Sequence, residues 1–384
     1  MNKKYCIFSA QYLPHMGGVE QYTYFLAKEL VSRGNEVTVV CTNTAGAKSY
    51  EIMEDIKVYR FPSINFINGR LPIVKRNKVF RAIQNKLLKE SFDFVLVNSR
   101  FYFHSLYGVK FASKRGIPCA LIEHGSSHVD FSNPLVAWIG QIYEHVLTFW
   151  EKRYCHDFYG VSGSCLEWLR HFGIEGKGVL YNAVDLDKIK KYRSNPVRDF
   201  RVEYGIPQRA TVITYTGRLI KEKGIFQLIS AVKEIQRKNP DIYLLIAGAG
   251  EEEAQVKANV TEKIIWTGRL PFEEIVSMLS QSNIFCLPTD YPEGFPTSVL
   301  EAAACKNYVI TTMRGGSKEL ILDRSYGIIL NDNKCQSLVA AIEKAIGMGE
   351  QRKIAVEKTY CRLEEHFVWS KIAQQVENLS DRQN

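Results

Sequence analysis

The sequence predicts an α/β fold of two domains, each a parallel sheet with helices on both faces. Length is the first reason: 384 residues exceed what one hydrophobic core comfortably fills, so two cores of ordinary size are expected. Alternation is the second. After residue 210, short β-branched and apolar runs trade places with amphipathic stretches of helical length, as in a parallel sheet fed by crossover helices. The third is the opening order of strand, glycine-bearing loop, helix and strand, which phosphate-binding α/β folds share.

Tyr5 to Ala10 reads as the first strand, and a loop with Pro14 and Gly17-Gly18 leads into a helix from Val19 to Arg33. Gly34-Asn35 ends that helix, and Glu36 to Cys41 forms the second strand. The glycines lack the full G-x-G-x-x-G spacing, which argues against a dinucleotide oxidoreductase. Phe94 to Val97 and Cys119 to Ile122 continue the sheet, and Glu123-His124-Gly125-Ser126-Ser127-His128 follows the second of them. The aromatic helix from Trp138 to Tyr154 is expected to pack into the core. Phe158 to Ser162 and Gly178 to Tyr181 complete a first domain over residues 1–187. Asp185-Leu186-Asp187 is formally an Asp-X-Asp, but Asp187 reads as the cap of a helix starting at Lys188 and not as a metal ligand. A polar stretch with Pro196 and Pro207 makes the connection into the second domain, residues 188–355. Its expected strands are 211–216, 242–247, 264–267, 284–287 and 308–312, with helices near 225–238, 251–259, 272–281 and 297–305. Residues 356–384 hold a terminal helix with Phe367, Trp369, Ile372 and Ala373.

Composition narrows the class. Hydrophobic residues at 46% and charged residues at 24% suit a globular chain, and no apolar run reaches the roughly 18 residues a membrane span needs. Gln11, Pro14 and His15 interrupt the N-terminal apolar run too soon for a signal peptide. Nine cysteines, an odd number without a C-x-x-C pair, read as reduced thiols in a cytoplasmic protein, with no disulfide framework or zinc site. Charge is uneven. From Arg70 to Arg115 eleven Lys/Arg face only Glu90 and Asp93, a local balance of +9 that equals the formal net charge of the chain. Within it, residues 70–89 have Val79, Phe80, Ile83, Leu87 and Leu88 at helical spacing, with Lys75, Lys78, Arg81, Lys86 and Lys89 largely off that stripe. Such a helix suits an anionic membrane surface, and equally a core-packed helix with a solvated face. No recognition motif supports nucleic acid.

Two segments carry chemistry. In Glu293-Gly294-Phe295-Pro296-Thr297-Ser298-Val299-Leu300-Glu301, Pro296 suits the first helical position, because its missing N–H would have no intrahelical partner. The amides of Thr297 and Ser298 then face a phosphate, and Glu293 and Glu301 suit sugar and ribose hydroxyls. The strand at Thr211–Thr216 ends in Gly217-Arg218-Leu219-Ile220-Lys221-Glu222-Lys223-Gly224, which puts Arg218 and Lys223 at a strand's carboxyl end, where ligands of open α/β sheets bind. A guanidinium fork and an ammonium there suit a diphosphate. Gly315-Gly316, after the last strand, is expected to let backbone approach the ligand. His124, at a strand end beside a glycine, faces a cleft; a lone histidine is more often structural.

Gly17-Gly18-Val19-Glu20, Gly217-Arg218-Leu219 with Lys223-Gly224, and Glu293-Gly294-Phe295 with Glu301-Ala302 occur in this order. The chain thereby resembles the retaining glycosyltransferases of family 4, from Tyr5 to about Ala373. The resemblance implies the GT-B architecture, two Rossmann-like domains facing a central cleft, with the terminal helix crossing back to the first. It implies a nucleoside-diphosphate sugar as donor and a saccharide or lipid-linked saccharide as acceptor, of the kind used for bacterial surface polysaccharide. It implies catalytic roles for His124, Arg218, Lys223 and Glu293, and donor contacts from Gly17, Gly18, Phe295, Pro296, Thr297, Ser298 and Glu301. His124 would touch the sugar or acceptor, Glu301 the ribose and Glu293 the hexose. No metal or other cofactor is implied, and the leaving phosphate would take the acceptor's proton. A cytoplasmic enzyme, peripheral on the inner face of the plasma membrane, fits this picture. Ala183 stands where the family has glycine, and Cys305-Lys306-Asn307-Tyr308 replaces its Cys-Gly-X-Pro turn. A nucleotide-sugar epimerase of the same fold, or a non-catalytic nucleotide-sugar binder, would show the same donor motifs.

Overall fold

Apolar, β-branched runs form the strands of two sheets because their side chains fill both faces of a pleated layer. The computed structural model describes residues 2–66, 71–128 and 133–382. They fall into two compact units, Met1–Asn182 with Trp369–Asn384, and Ala183–Val368.

The first unit runs β1 Lys4–Ser9, α1 Gly18–Ser32, β2 Glu36–Asn43, β3 Tyr50–Met53, β4 Ile56–Phe66, β5 Leu71–Val74, α2 Lys78–Lys89, β6 Phe94–Asn98, α3 Phe103–Lys114, β7 Cys119–Glu123, α4 Pro134–Glu151, β8 Asp157–Gly160, α5 Gly163–His171 and β9 Gly178–Val179. Its sheet has the order β3-β4-β2-β1-β6-β7-β8-β9, with β5 beside β4. The pairs are parallel except β3 and β5, which both run antiparallel to β4. The core gathers Phe8, Phe61, Phe80, Ile83, Phe111 and Phe158, among others.

The second unit runs α6 Leu186–Ser194, α7 Phe200–Glu203, β10 Thr211–Thr216, α8 Ile225–Lys238, β11 Ile242–Ala247, α9 Glu253–Lys257, β12 Ile264–Gly268, α10 Phe272–Ser280, β13 Ile284–Leu287, α11 Thr297–Ala304, β14 Tyr308–Thr312, α12 Ser317–Leu320, β15 Ile328–Leu330, α13 Cys335–Gly347 and α14 Glu350–His366. Its sheet, β12-β11-β10-β13-β14-β15, is parallel throughout. The last helix, α15 Trp369–Arg382, belongs to the first unit, where Trp369 packs on Tyr22 and Phe25 of α1.

Several expectations are corrected. The first unit ends at Asn182 and not at 187, and residues 356–368 stay with the second unit, so only α15 returns. Asp185, not Asp187, caps α6, accepting from the Lys188 amide at 3.0 Å. The basic helix is shorter than 70–89. Residues 71–74 are strand, Arg70 lies outside the described residues, and Phe80, Ile83 and Leu87 of α2 are buried in the core. The apolar stripe nominated for a membrane is therefore already covered, and only Val79 and Leu88 remain exposed. The aromatic helix α4 does the opposite: apart from buried Leu147, its large aliphatic and tryptophan side chains face outward.

Candidate active site

In the second unit the strand order reverses at β10, which lies between β11 and β13. Crossovers diverge there and open a crevice at the strands' carboxyl ends. The loops after β10, 217–224, and after β13, 288–296, border it. They are stitched together, because the amides of Asp290 and Tyr291 both donate to the Glu222 carbonyl, at 2.7 and 3.1 Å. Gly224 permits this approach. Its φ is +72°, and a Cβ there would lie 2.1 Å from the Pro288 carbonyl oxygen. Below the loop, buried Tyr215 donates its hydroxyl to the Arg218 carbonyl at 2.9 Å. Burial, reinforced by the Glu293 charge, pushes that phenol above its ordinary range, so it stays a donor.

The predicted cations meet on one ring. The Arg218 guanidinium lies 5.2 Å and Lys223 Nζ 5.6 Å from the centroid of Tyr291. Lys223 also pairs with Glu293, both side chains being only 12% exposed, and Thr289 Oγ1 lies 3.5 Å from the same carboxylate oxygen. Four residues on, Thr297 opens α11. Pro296 has an extended ψ of 114° and is the cap, not the first helical residue; its carbonyl accepts from Val299 at 3.1 Å. No side chain caps this helix, and the first-turn amides of Thr297 and Ser298 are of the kind that suits an anion. On α11, loss of water around the half-buried Glu301 carboxyl pushes it up to about 7. Gly315 and Gly316 are required by their protein neighbours. A Cβ on Gly315 (φ +53°) would meet the Gly294 and Glu293 carbonyls at 2.6 and 2.8 Å, and one on Gly316 would strike the buried Phe295 ring at 2.2 Å. These glycines let the 293–295 turn sit down.

In the first unit the reversal falls at β1, between β2 and β6. Gly17 precedes α1, but its amide is taken by Glu20 Oε2 at 2.8 Å, which puts a carboxylate where a phosphate was expected. Gly18 has nothing within 4 Å of an added Cβ and keeps open space. His124 follows β7, its ring edge-on to Tyr22 at 4.8 Å. A chain of hydrogen bonds sets its tautomer. Thr23 Oγ1 donates to Val19 O at 2.8 Å and accepts from Asn98 Nδ2 at 2.7 Å. Asn98 Oδ1 therefore faces His124 Nε2 at 3.1 Å and receives its hydrogen, leaving Nδ1 as an acceptor. Burial lowers this imidazole to about 3, so it is neutral at physiological pH. Sequence reading missed Asn98 and Tyr291; a polar residue closing the apolar strand β6, and an aromatic in a Gly/Pro loop, were the available signals.

The histidines fit a metal better than the rejected Asp-X-Asp. His128, His145 and His171 bring one ring nitrogen each within 4.8 Å of one another, the group of metal-binding geometry found among the described residues. Glu144 Oε2 holds His128 Nδ1 at 3.1 Å.

Comparison with known proteins bears on the family and the fold. Residues 16–188 match the family Glycosyltransferase Family 4, and residues 197–362 match Glycosyl transferases group 1. An uncharacterized glycosyltransferase of Methanocaldococcus jannaschii is 25% identical over 99% of this chain and 98% of its own. The phosphatidylinositol N-acetylglucosaminyltransferase GPI3 subunit of Saccharomyces cerevisiae is 23% identical over 94% of this chain and 79% of its own. Among solved structures, Anabaena HepE in complex with UDP superposes with a TM-score of 0.75 at 18% identity, covering 99% of this chain and 100% of that one. Two parallel-sheet units of the GT-B kind, family matches over both, and cations gathered at a switch-point crevice together make this chain a glycosyltransferase of the family 4 type.

Proposed function

We propose that the chain moves a hexose-type sugar from a nucleoside-diphosphate sugar to a saccharide or lipid-linked saccharide, with retention of anomeric configuration. The observation that carries this reading is Arg218 and Lys223 gathered on Tyr291, with Glu293 paired to Lys223, four residues before the uncapped start of α11. Arg218, Lys223 and the Thr297 and Ser298 amides hold the diphosphate; Lys223 has three N–H donors and keeps Glu293 while adding a phosphate oxygen. The bond from the anomeric carbon to phosphate oxygen breaks and charge grows on the leaving diphosphate. Donors already aimed there lower the barrier, at about 3–4 kcal/mol for each one. The acceptor oxygen bonds to the anomeric carbon, and its proton passes to the departing phosphate oxygen. Glu301 takes ribose hydroxyls and Glu293 hexose hydroxyls. Phe295 and Pro296 hold the turn between them, Gly18 leaves room for the donor at the start of α1, and His124 Nδ1 accepts from a sugar or acceptor hydroxyl. The fixed cations and amides supply the positive charge, so no metal is needed for this step. HepE has been solved with UDP-glucose, and the yeast relative's name carries a phosphatidylinositol acceptor, which support a nucleotide donor and a lipid-linked acceptor. We place the enzyme in the cytoplasm against an anionic membrane, with the α2 cations toward lipid.

Arg218 is the residue to test, because it is exposed and joins no ion pair among the described residues, whereas losing Lys223 would strip Glu293 of its ammonium partner. Arg218→Ala should lower turnover at least tenfold and abolish thermal stabilisation by UDP-sugars, with Tm of the free protein held. EDTA should leave wild-type turnover intact. A fully active Arg218→Ala protein removes the diphosphate role. Epimerised donor formed without acceptor would instead favour the epimerase, and binding without hydrolysis or transfer would favour a mere binder.

A further inference from the structure

Helix α4 is built inside out. The residues it turns inward include Glu144, Thr148 and Glu151, all buried. They meet Arg100, itself 1% exposed, which bonds Thr148 Oγ1 at 2.7 Å, Glu144 at 3.4 Å and Glu123 at 2.8 Å, with its guanidinium 3.6 Å from the Phe172 ring centroid. Burial pushes Glu151 up to about 8, so a protonated carboxyl sits inside. The outward face holds Leu135, Trp138, Ile139, Ile142, Val146 and Phe149, at 44–64% exposure, and has no Asp, Glu, Lys or Arg on it. Single exposed apolar residues need no explanation, but a continuous helical face of them does.

Charge beside this face identifies the partner. At its C-terminal end, Lys110 of α3 lies 5.7 Å from the Trp150 ring centroid and 5.1 Å from that of Tyr154. Lys110 also lines a cavity of about 480 Å³ with Arg76, Arg81, Lys114 and Arg115, and no acidic residue lines it. Tryptophans near both ends, an uncharged face between them and a cationic cavity alongside match a bilayer interface, with indoles at headgroup depth and phosphates among the cations. At 18 residues α4 lies along the surface, and no helix among the described residues is long and apolar enough to cross a membrane. A second copy seated on α4 would bring a second set of these cations to its rim.

We infer that the outward face of α4 inserts into the interface of an anionic membrane, while Lys110 and the cations of the adjoining cavity hold lipid phosphates. This deepens the membrane placement proposed above, adding α4 as the inserted face beside the cations of α2, and does not depend on the sugar-transfer reading.

The full chain, without an affinity tag, is sedimented with phosphatidylcholine vesicles lacking or containing phosphatidylglycerol. Wild type should bind the anionic vesicles, and Ile139→Ser/Phe149→Ser should lose at least tenfold in partitioning while keeping Tm and UDP-sugar binding. Lys110→Gln/Lys114→Gln should weaken anionic-vesicle binding in a salt-dependent way. Three results overturn the inference. Wild type fails to bind; the α4 variant binds as wild type does while neutralising Lys75, Lys78 and Arg81 abolishes binding; or the α4 variant only converts a dimer to a monomer. The second of these leaves membrane association on α2 standing, and all three leave sugar transfer untouched.

Discussion

Glu301 shows how one carboxylate's surroundings turn into a measurable dependence on pH. Its pKa, raised to about 7 by loss of water, means that the folded chain holds this proton where an unfolded one has released it. Stability from Glu301 therefore falls as pH rises from the ordinary carboxylate range to about 7, and is level above that. On the proposed ribose role of Glu301, donor binding runs the other way, because ribose hydroxyls would donate to the ionised form. Affinity for an intact UDP-sugar, whose diphosphate diester has no group titrating near neutrality, should rise about tenfold from pH 6 to pH 8. Calorimetric titration of Glu301→Gln should give a flat profile; an unchanged slope would assign the titration to another group. His124 adds no limb to this curve, since its imidazole is already neutral.

At the scale of loops and helices, glycines divide into those that seat backbone and those that leave room. Gly224 combines a φ of +72° with a Pro288 oxygen at 2.1 Å from any added Cβ, so two separate penalties fall on one methyl group. Gly224→Ala should cost at least about 2 kcal/mol in urea unfolding, more than the strained backbone alone. Gly18 is the contrast. An added Cβ meets nothing within 4 Å, so Gly18→Ala should shift stability by no more than about 1 kcal/mol, while its methyl blocks approach to the helix start and lowers turnover. Equal turnover would show that no phosphate comes near Gly18. The same contrast separates α2 from α4: both have basic or aromatic sequences, yet α2 buries its apolar stripe and α4 exposes it.

For the whole molecule, two sheets with separate cores predict two unfolding events, and the crevice with Arg218, Lys223 and Glu293 lies in the second unit. Scanning calorimetry of the full chain with a UDP-sugar at 100 times Kd should raise the second unit's transition, which has the proposed diphosphate contacts, by up to about 2.7 kcal/mol, and the first unit's, through Gly18 and His124, by less. Equal movement of both would put as much of the donor's binding on the first unit as on the second. Much of this architecture is local in origin. Runs such as Ile242–Ala247 and Ile284–Leu287 are apolar on both faces and bounded by turn residues, so their strands are readable one segment at a time. The two cations and two carboxylates were legible likewise, from residue type and spacing at strand and helix ends. What lay beyond reach depends on partners distant in sequence. The antiparallel strands β3 and β5 are defined by pairing with β4, Tyr291 by the loop about 70 residues earlier that brings Arg218 and Lys223 to its ring, and the glycines at 315–316 by the turn they admit. Aromatic content alone marked the apolar side of α4 as part of the core. Only the tertiary structure decided that this side faces out, because buried Arg100 requires the carboxylates on the other.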